Sequence, residues 1–153
     1  MRIFQLNVSP GGVPKLPIRE ARCGVLGLDG DGHAHPKIHG GAERALCLYS
    51  VEVIQALQAE GHPLWPGSCG ENVTLAGADW TTLAIGQRFS LGDQVIIELT
   101  RPTEPCKQIK TSFEGGQFRR IDHPTHPGWS RWYARVEREG LVRVGQSVER
   151  LLL

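Results

Sequence analysis

The chain has 153 residues, 40% of them hydrophobic and 22% charged, with a formal net charge of +1 at pH 7. That balance argues against a general nucleic-acid or membrane-surface binder, and the length suffices to bury a core without disulfide or metal staples. Nineteen glycines and ten prolines point to many turns and few long helices.

The four cysteines, at 23, 47, 69 and 106, form no CxxC pair, which removes zinc-ribbon and thioredoxin-like readings. Met1–Asn7 lacks the apolar run of a signal peptide, and no stretch approaches transmembrane length. The expectation is therefore one domain over 1–153, cytoplasmic, not membrane-bound, with reduced thiols.

Residues 2–8 alternate, with Phe4, Leu6 and Val8 on one face, and predict an opening strand. A turn follows at 10–14. Ala21, Cys23 and Val25 alternate in a second strand running towards Leu28, and 29–41 reads as a glycine-rich polar loop. Arg44–Tyr49 has the look of a buried strand. Ser50 is placed to cap a helix carrying Val53, Ile54 and Leu57 on one side, with Gly61 as its stop.

After a loop over 62–67, the stretch 68–75 leads into another extended segment. Strands follow at 88–91 and 94–100, joined by a tight hairpin at Gly92-Asp93, and Pro102 and Pro105 are expected to end the second one. The segment 111–128 has no period and reads as a mobile loop. Trp129, Trp132, Tyr133 and Val136 fall at helical spacing and predict a helix stopped by Gly140, its aromatic stripe serving as core packing. Residues 141–148 form a last strand and turn. Many short strands with two or three helices fit a mostly β fold, a partly or fully closed barrel with peripheral helices, better than a doubly wound sheet.

The chemistry-bearing stretch is Thr100-Arg101-Pro102-Thr103-Glu104-Pro105-Cys106-Lys107. It presents one thiol beside Lys107 and near Arg101 and Lys110, and cations favour the thiolate that attacks or binds metal. A free cysteine is as often a small buried hydrophobe, and the local sequence leaves both roles open. In His39-Gly40-Gly41-Ala42-Glu43-Arg44 the paired glycines allow backbone N–H groups to approach an anion, with Arg44 as a planar fork; the alternative is a glycine turn entering a strand. His33, His35 and His39 are spaced so that an extended segment could turn them towards one metal, although loop histidines are common. In Pro66–Asn72, Glu71 and Asn72 offer acceptors and donors for a heterocycle edge, or simply a turn into a strand. No G-x-S-x-G elbow is present, and no histidine is marked as the partner of Cys106 for thiol hydrolysis.

Taken in order, Gly30-Asp31-Gly32, His39-Gly40-Gly41-x-x-Arg44, Pro66-Gly67-x-x-Gly70-Glu71-Asn72, Ile85-Gly86 and Arg101-Pro102-x-x-Pro105-Cys106 resemble the MOSC family, named for the C-terminal domain of molybdenum cofactor sulfurases. The likeness covers about 20–150 and is strongest to stand-alone bacterial members of the YiiM type. It implies a MOSC-type β-barrel, a molybdenum–pterin cofactor with Cys106 on the metal, and two-electron reduction of small N-hydroxylated substrates.

The cofactor contacts expected on that basis are His39, Gly40, Gly41 and Arg44 for phosphate, Glu71 and Asn72 for the pterin edge, and the flanking Arg101 and Lys107. His39 or Asp31 would relay protons. No flavin-binding or iron–sulfur segment is read in the chain, so electrons are expected from a separate reductase. Longer relatives carry a C-terminal helical extension, whereas this sequence stops at Leu153. Two other readings use the same residues: a sulfur carrier holding a persulfide on Cys106, and a cofactor-binding module without turnover.

Overall fold

A computed structural model describes residues 1–32 and 40–152. Eight strands form the main sheet: β1 (Arg2–Val8), β2 (Leu16–Ile18), β5 (Leu46–Ser50), β6 (Val73–Ala76), β7 (Arg88–Leu91), β8 (Val95–Pro102), β9 (Trp132–Arg138) and β11 (Val148–Leu151), in the order β11-β7-β8-β9-β5-β6-β1-β2. A smaller sheet holds β3 (Glu20–Gly24), β4 (Gly27–Leu28) and β10 (Gly140–Arg143), in the order β10-β3-β4. Every ladder is antiparallel except β5–β6, whose crossover is α1 (Val51–Ala59). Among the described residues α1 is the only α-helix.

The expected barrel does not close as a continuous ladder. The sheet keeps two edges, β11 and β2, and its ends meet through the single bridge Arg2↔Ser147 with backbone bonds from Ile3 N to the Gln146 carbonyl and from Val148 N to the Met1 carbonyl. The architecture is mostly β with little helix, as expected, but it is a sheet curled towards closure.

α1 is bounded as its sequence suggests. The Ser50 side chain accepts from Val53 N–H at 3.1 Å. At the other end Gly61 N–H reaches the Gln58 carbonyl and His62 N–H the Leu57 carbonyl, the bonding pattern of a glycine-terminated helix. The strand expected to run on towards Leu28 instead turns at Val25-Leu26, so that β4 folds back on β3 through Cys23↔Leu28.

The hairpin turn takes three residues, 92–94, with Leu91 opposite Val95. β8 outruns its predicted end: the register shifts between Leu99 and Arg101, and Pro102 still faces Trp132. Thr100 is the extra residue of that bulge, and its hydroxyl donates to the Glu43 carbonyl at 2.7 Å.

The predicted helix over 129–136 is strand β9. The side chains of Tyr49 and Trp80 donate to the carbonyls of Trp129 and Ser130, at 2.7 and 2.6 Å, taking acceptors that a helix would need. From Trp132 onward both neighbours offer ladders, with β5 pairing Leu48 to Trp132 and β8 pairing Leu99 to Ala134. Because Arg131 through Ala134 are all buried, a two-residue alternation never shows in the sequence.

The segment read as a mobile loop is packed. It forms short 3-10 turns at Lys107–Ser112, Glu114–Gly116 and Phe118–Ile121, and Ile109, Phe113 and Ile121 enter the core. Ile97, fully buried in the middle of β8, faces the centre of that core. Replacing it with alanine is expected to cost about 3 kcal/mol in urea unfolding, the usual range for emptying such a site.

Candidate functional site

A cleft of about 550 Å³, counted out into the solvent at its mouth, collects segments far apart in the chain. Lys15 comes from the loop after β1, Arg44 from the 3-10 turn Ala42–Arg44, Cys47 from β5, Cys69 and Asn72 from the turn before β6, Cys106 from the turn after β8, and Arg131 and Tyr133 from β9. The bulge at Thr100 and the two prolines carry the chain off the sheet edge, which is what brings Cys106 to this mouth.

Three thiols line the cleft, and they are not equivalent. Cys47 and Cys69 are buried, whereas Cys106 is half-buried. Burial pushes the Cys69 thiol up to about 12 and raises that of Cys47 as well. Both remain neutral thiols near pH 7. Cys106 is the accessible sulfur, at the head of the turn Lys107–Ser112.

The described lining residues include the cations Lys15, Arg44 and Arg131 but no carboxylate. Lys15 is spoken for: its Nζ lies 2.6 Å from Asp31 Oδ1, with both side chains shielded from solvent. Neither Arg44 nor Arg131 has an ion pair among the described residues. The Arg44 guanidinium carbon sits 5.6 Å from the Tyr133 ring centre and that of Arg101 5.8 Å from it, so the ring is flanked by two cations.

Of the residues singled out from sequence, Cys106, Arg44 and Asn72 share the cleft, but Asn72 does so as a wall. Its Oδ1 accepts from Cys47 N–H at 3.0 Å, and its Nδ2 donates to Asp31 Oδ2 at 2.7 Å and to the Asn7 carbonyl at 3.4 Å. Both amide hydrogens are thus engaged within the protein, while the side chain still borders the cleft. Asp31 is similarly engaged, accepting from Ser9 N–H, Lys15 and Asn72 rather than standing free as a relay.

Glu71 is fully buried and does not line the cleft. Burial raises its pKa against the opposing pull of the Gly67 and Glu71 N–H groups and the Thr74 hydroxyl, so it is corrected from ligand contact to interior group. Arg101 and Lys107 are exposed and outside the lining set, and Arg101 approaches the cleft through Tyr133 alone. Gly41 has φ 98°, a conformation suited to glycine, but neither it nor Gly40 lines the cleft. His39, and with it the His33/His35/His39 arrangement, lies outside the described residues. Among the described residues no cluster of three or more His, Cys, Asp or Glu could hold a metal ion.

Arg131, Tyr133, Lys15, Cys47 and Cys69 were not anticipated as site residues. Arg131 and Tyr133 sat inside the misread helix; a β pattern through Tyr133-Ala134-Arg135-Val136 was the signal available. Gly67 shapes the wall below them. At φ 94°, an added Cβ would meet the Lys15 carbonyl at 2.4 Å and the Asn7 side chain at 3.2 Å. Gly67→Ala is expected to lower stability by about 2 kcal/mol in thermal or urea unfolding, through backbone strain and overpacking together.

The fold and this cleft define a mostly β protein with an accessible thiol set among arginines. The chain belongs to the MOSC family: the model of the MOSC domain matches residues 35–149. It is 32% identical over 138 residues to YflK of Bacillus subtilis (strain 168), spanning 87% of this chain and 61% of YflK. It is 30% identical over 133 residues to a protein named Reductase from Gibberella moniliformis, spanning 84% of this chain and 23% of that one. The chain thus covers less than two thirds of the length of either relative. In fold it resembles the crystal structure of YiiM from Geobacillus stearothermophilus, with TM-score 0.74 at 23% identity over 99% of this chain and 75% of that one. Among the described residues no helix is long and apolar enough to cross a membrane.

Proposed function

We propose that this protein seats a molybdenum–pterin cofactor in the cleft and reduces small N-hydroxylated compounds with electrons from a separate reductase. The observation that carries the reading is that the half-buried Cys106 shares one cleft with two arginines and no lining carboxylate. The donor set also fits the group: a soft thiolate for molybdenum, and guanidinium forks for phosphate.

Cys106 would hold the metal and Arg44 the phosphate, with Asn72, Asp31 and Lys15 stiffening the opposite wall through their mutual bonds. When bound, the cofactor supplies the two-electron oxygen-atom chemistry that no side chain here provides. The net conversion breaks the N–O bond, consumes two electrons and two protons, and releases water. Family membership and the fungal relative's name, Reductase, support this assignment.

The test is metal and pterin analysis of protein made in a host that synthesises the cofactor. Molybdenum and pterin present in the wild type and lost in Cys106→Ala support the reading. A labile sulfur on Cys106 without molybdenum would make the protein a sulfur carrier. Loaded protein that reduces no N-hydroxy compound, even with artificial donors, would make it a binding module.

A further inference from the structure

Arg131 carries a buried charge that no described residue meets with an ion pair. Its side chain is 6% exposed, Nη1 donates to the Cys69 carbonyl at 2.6 Å, Nη2 donates to the Glu104 carbonyl at 3.4 Å, and its buried Nε has no partner. Both partners are neutral. The groups that act on it most are Cys47, Cys69, Tyr133 and Tyr49, and it in turn pulls on the buried Glu71; burial raises all five, Cys69 and Tyr133 to about 12. The thiols and phenols are therefore uncharged near pH 7, and Glu71 forms no ion pair with Arg131. A guanidinium stays protonated in such a setting, and a buried cation without a paired counter-charge is strongly disfavoured.

Position adds the second half of the argument. Arg131 lines the cleft and is tied to the Cys106 turn, its carbonyl accepting from Thr103 N–H at 2.8 Å while Nη2 holds Glu104. Arg44 lies at the other end of the same strand pair: it precedes Leu46, which faces Ala134, whereas Arg131 precedes Trp132, which faces Leu48. The two cations enter the cleft from different ends.

We propose that Arg131 floors an oxyanion subsite next to the Cys106 turn, and that it receives the carboxylate or phosphate group of the substrate. Substrates would then be acidic N-hydroxylated compounds, held by their charged group at Arg131 with the N–O group turned towards Cys106. This substrate assignment rests on the cofactor reading above, but the anion seat itself does not.

The test begins with calorimetric titration of inorganic phosphate into cofactor-free protein at constant ionic strength. Saturable binding that weakens about tenfold or more in Arg131→Gln, and is unchanged in the exposed control Arg143→Gln, is the expected result. No saturable binding, or equal binding in wild type and Arg131→Gln, overturns the subsite. Should Arg131→Gln fail to fold, Arg131→Lys takes its place: it keeps the charge without the planar fork and is expected to weaken phosphate about threefold or more, unchanged affinity overturning the proposal.

In loaded protein, an N-hydroxy acid and its neutral amide counterpart are compared. KM for the acid should rise about tenfold in Arg131→Gln while that for the amide holds. If loading alone abolishes phosphate binding, the seat belongs to the cofactor's phosphate and the substrate assignment falls. Failure to load molybdenum at all would sink the cofactor reading and leave the phosphate titration standing.

Discussion

Cys106→Ala is expected to reduce bound molybdenum by about tenfold or more in protein from a cofactor-competent host, while unfolding midpoints of cofactor-free protein stay close to wild type. The two halves of that result have separate physical causes. Thiolate is the soft ligand for the metal, and the buried thiols beside it cannot substitute, because burial drives Cys69 to about 12 and raises Cys47 as well. Cys106 itself is half-buried at the head of a turn, so removing its sulfur leaves no closed cavity, and the stability change should stay within roughly 0.5 kcal/mol. Cys47→Ala serves as the comparison: a buried site should lose stability but retain the metal. Molybdenum that survives in Cys106→Ala would remove the thiol from the site and with it the proposed function.

Asn72→Ala is expected to cost about 3 kcal/mol, read as a lower urea midpoint with an unchanged slope. Asn72 is 2% exposed and its amide bridges β5, β1 and the loop that holds Asp31. It accepts from Cys47 N–H on β5, donates to the Asn7 carbonyl on β1, and donates to Asp31 at 2.7 Å. Truncation leaves a buried N–H and a shielded carboxylate short of partners, which costs more than the bonds contributed. Asp31 keeps Lys15 and Ser9 N–H, so the buried ion pair is weakened rather than broken. Asn72→Asp should be worse, since it sets a second carboxylate against Asp31 Oδ2. A loss below about 1 kcal/mol for Asn72→Ala would mean that water or a shifted side chain replaces the clamp.

Parts of this architecture are written locally. The Ser50 cap, the apolar face of α1 and the Gly61 stop act within a dozen residues, and the structure has the helix where they put it. β7 and most of β8 alternate because each has one well-buried face, so their period survives in the sequence. In β1, by contrast, a register shift between Ile3 and Gln5 buries Ile3 with Leu6 and leaves Phe4 and Val8 half-buried, against the face its alternation suggests. The ordered set of short motifs was also enough to point to the MOSC family.

Tertiary structure decided the rest. β9 is a strand because β5 and β8 stand ready on both sides and because Tyr49 and Trp80 capture the carbonyls ahead of it, and none of those partners is near it in the chain. Whether the sheet closed depended on how the first strand meets Ser147, a contact between the two ends of the sequence. The roles of Asn72, Glu71 and Arg131 were likewise beyond local inspection. A polar side chain becomes a clamp, an interior acid or an open cation according to what distant segments place beside it. Hydrogen bonding and desolvation act through space at a few ångströms, whereas sequence patterns record only the neighbours along the backbone.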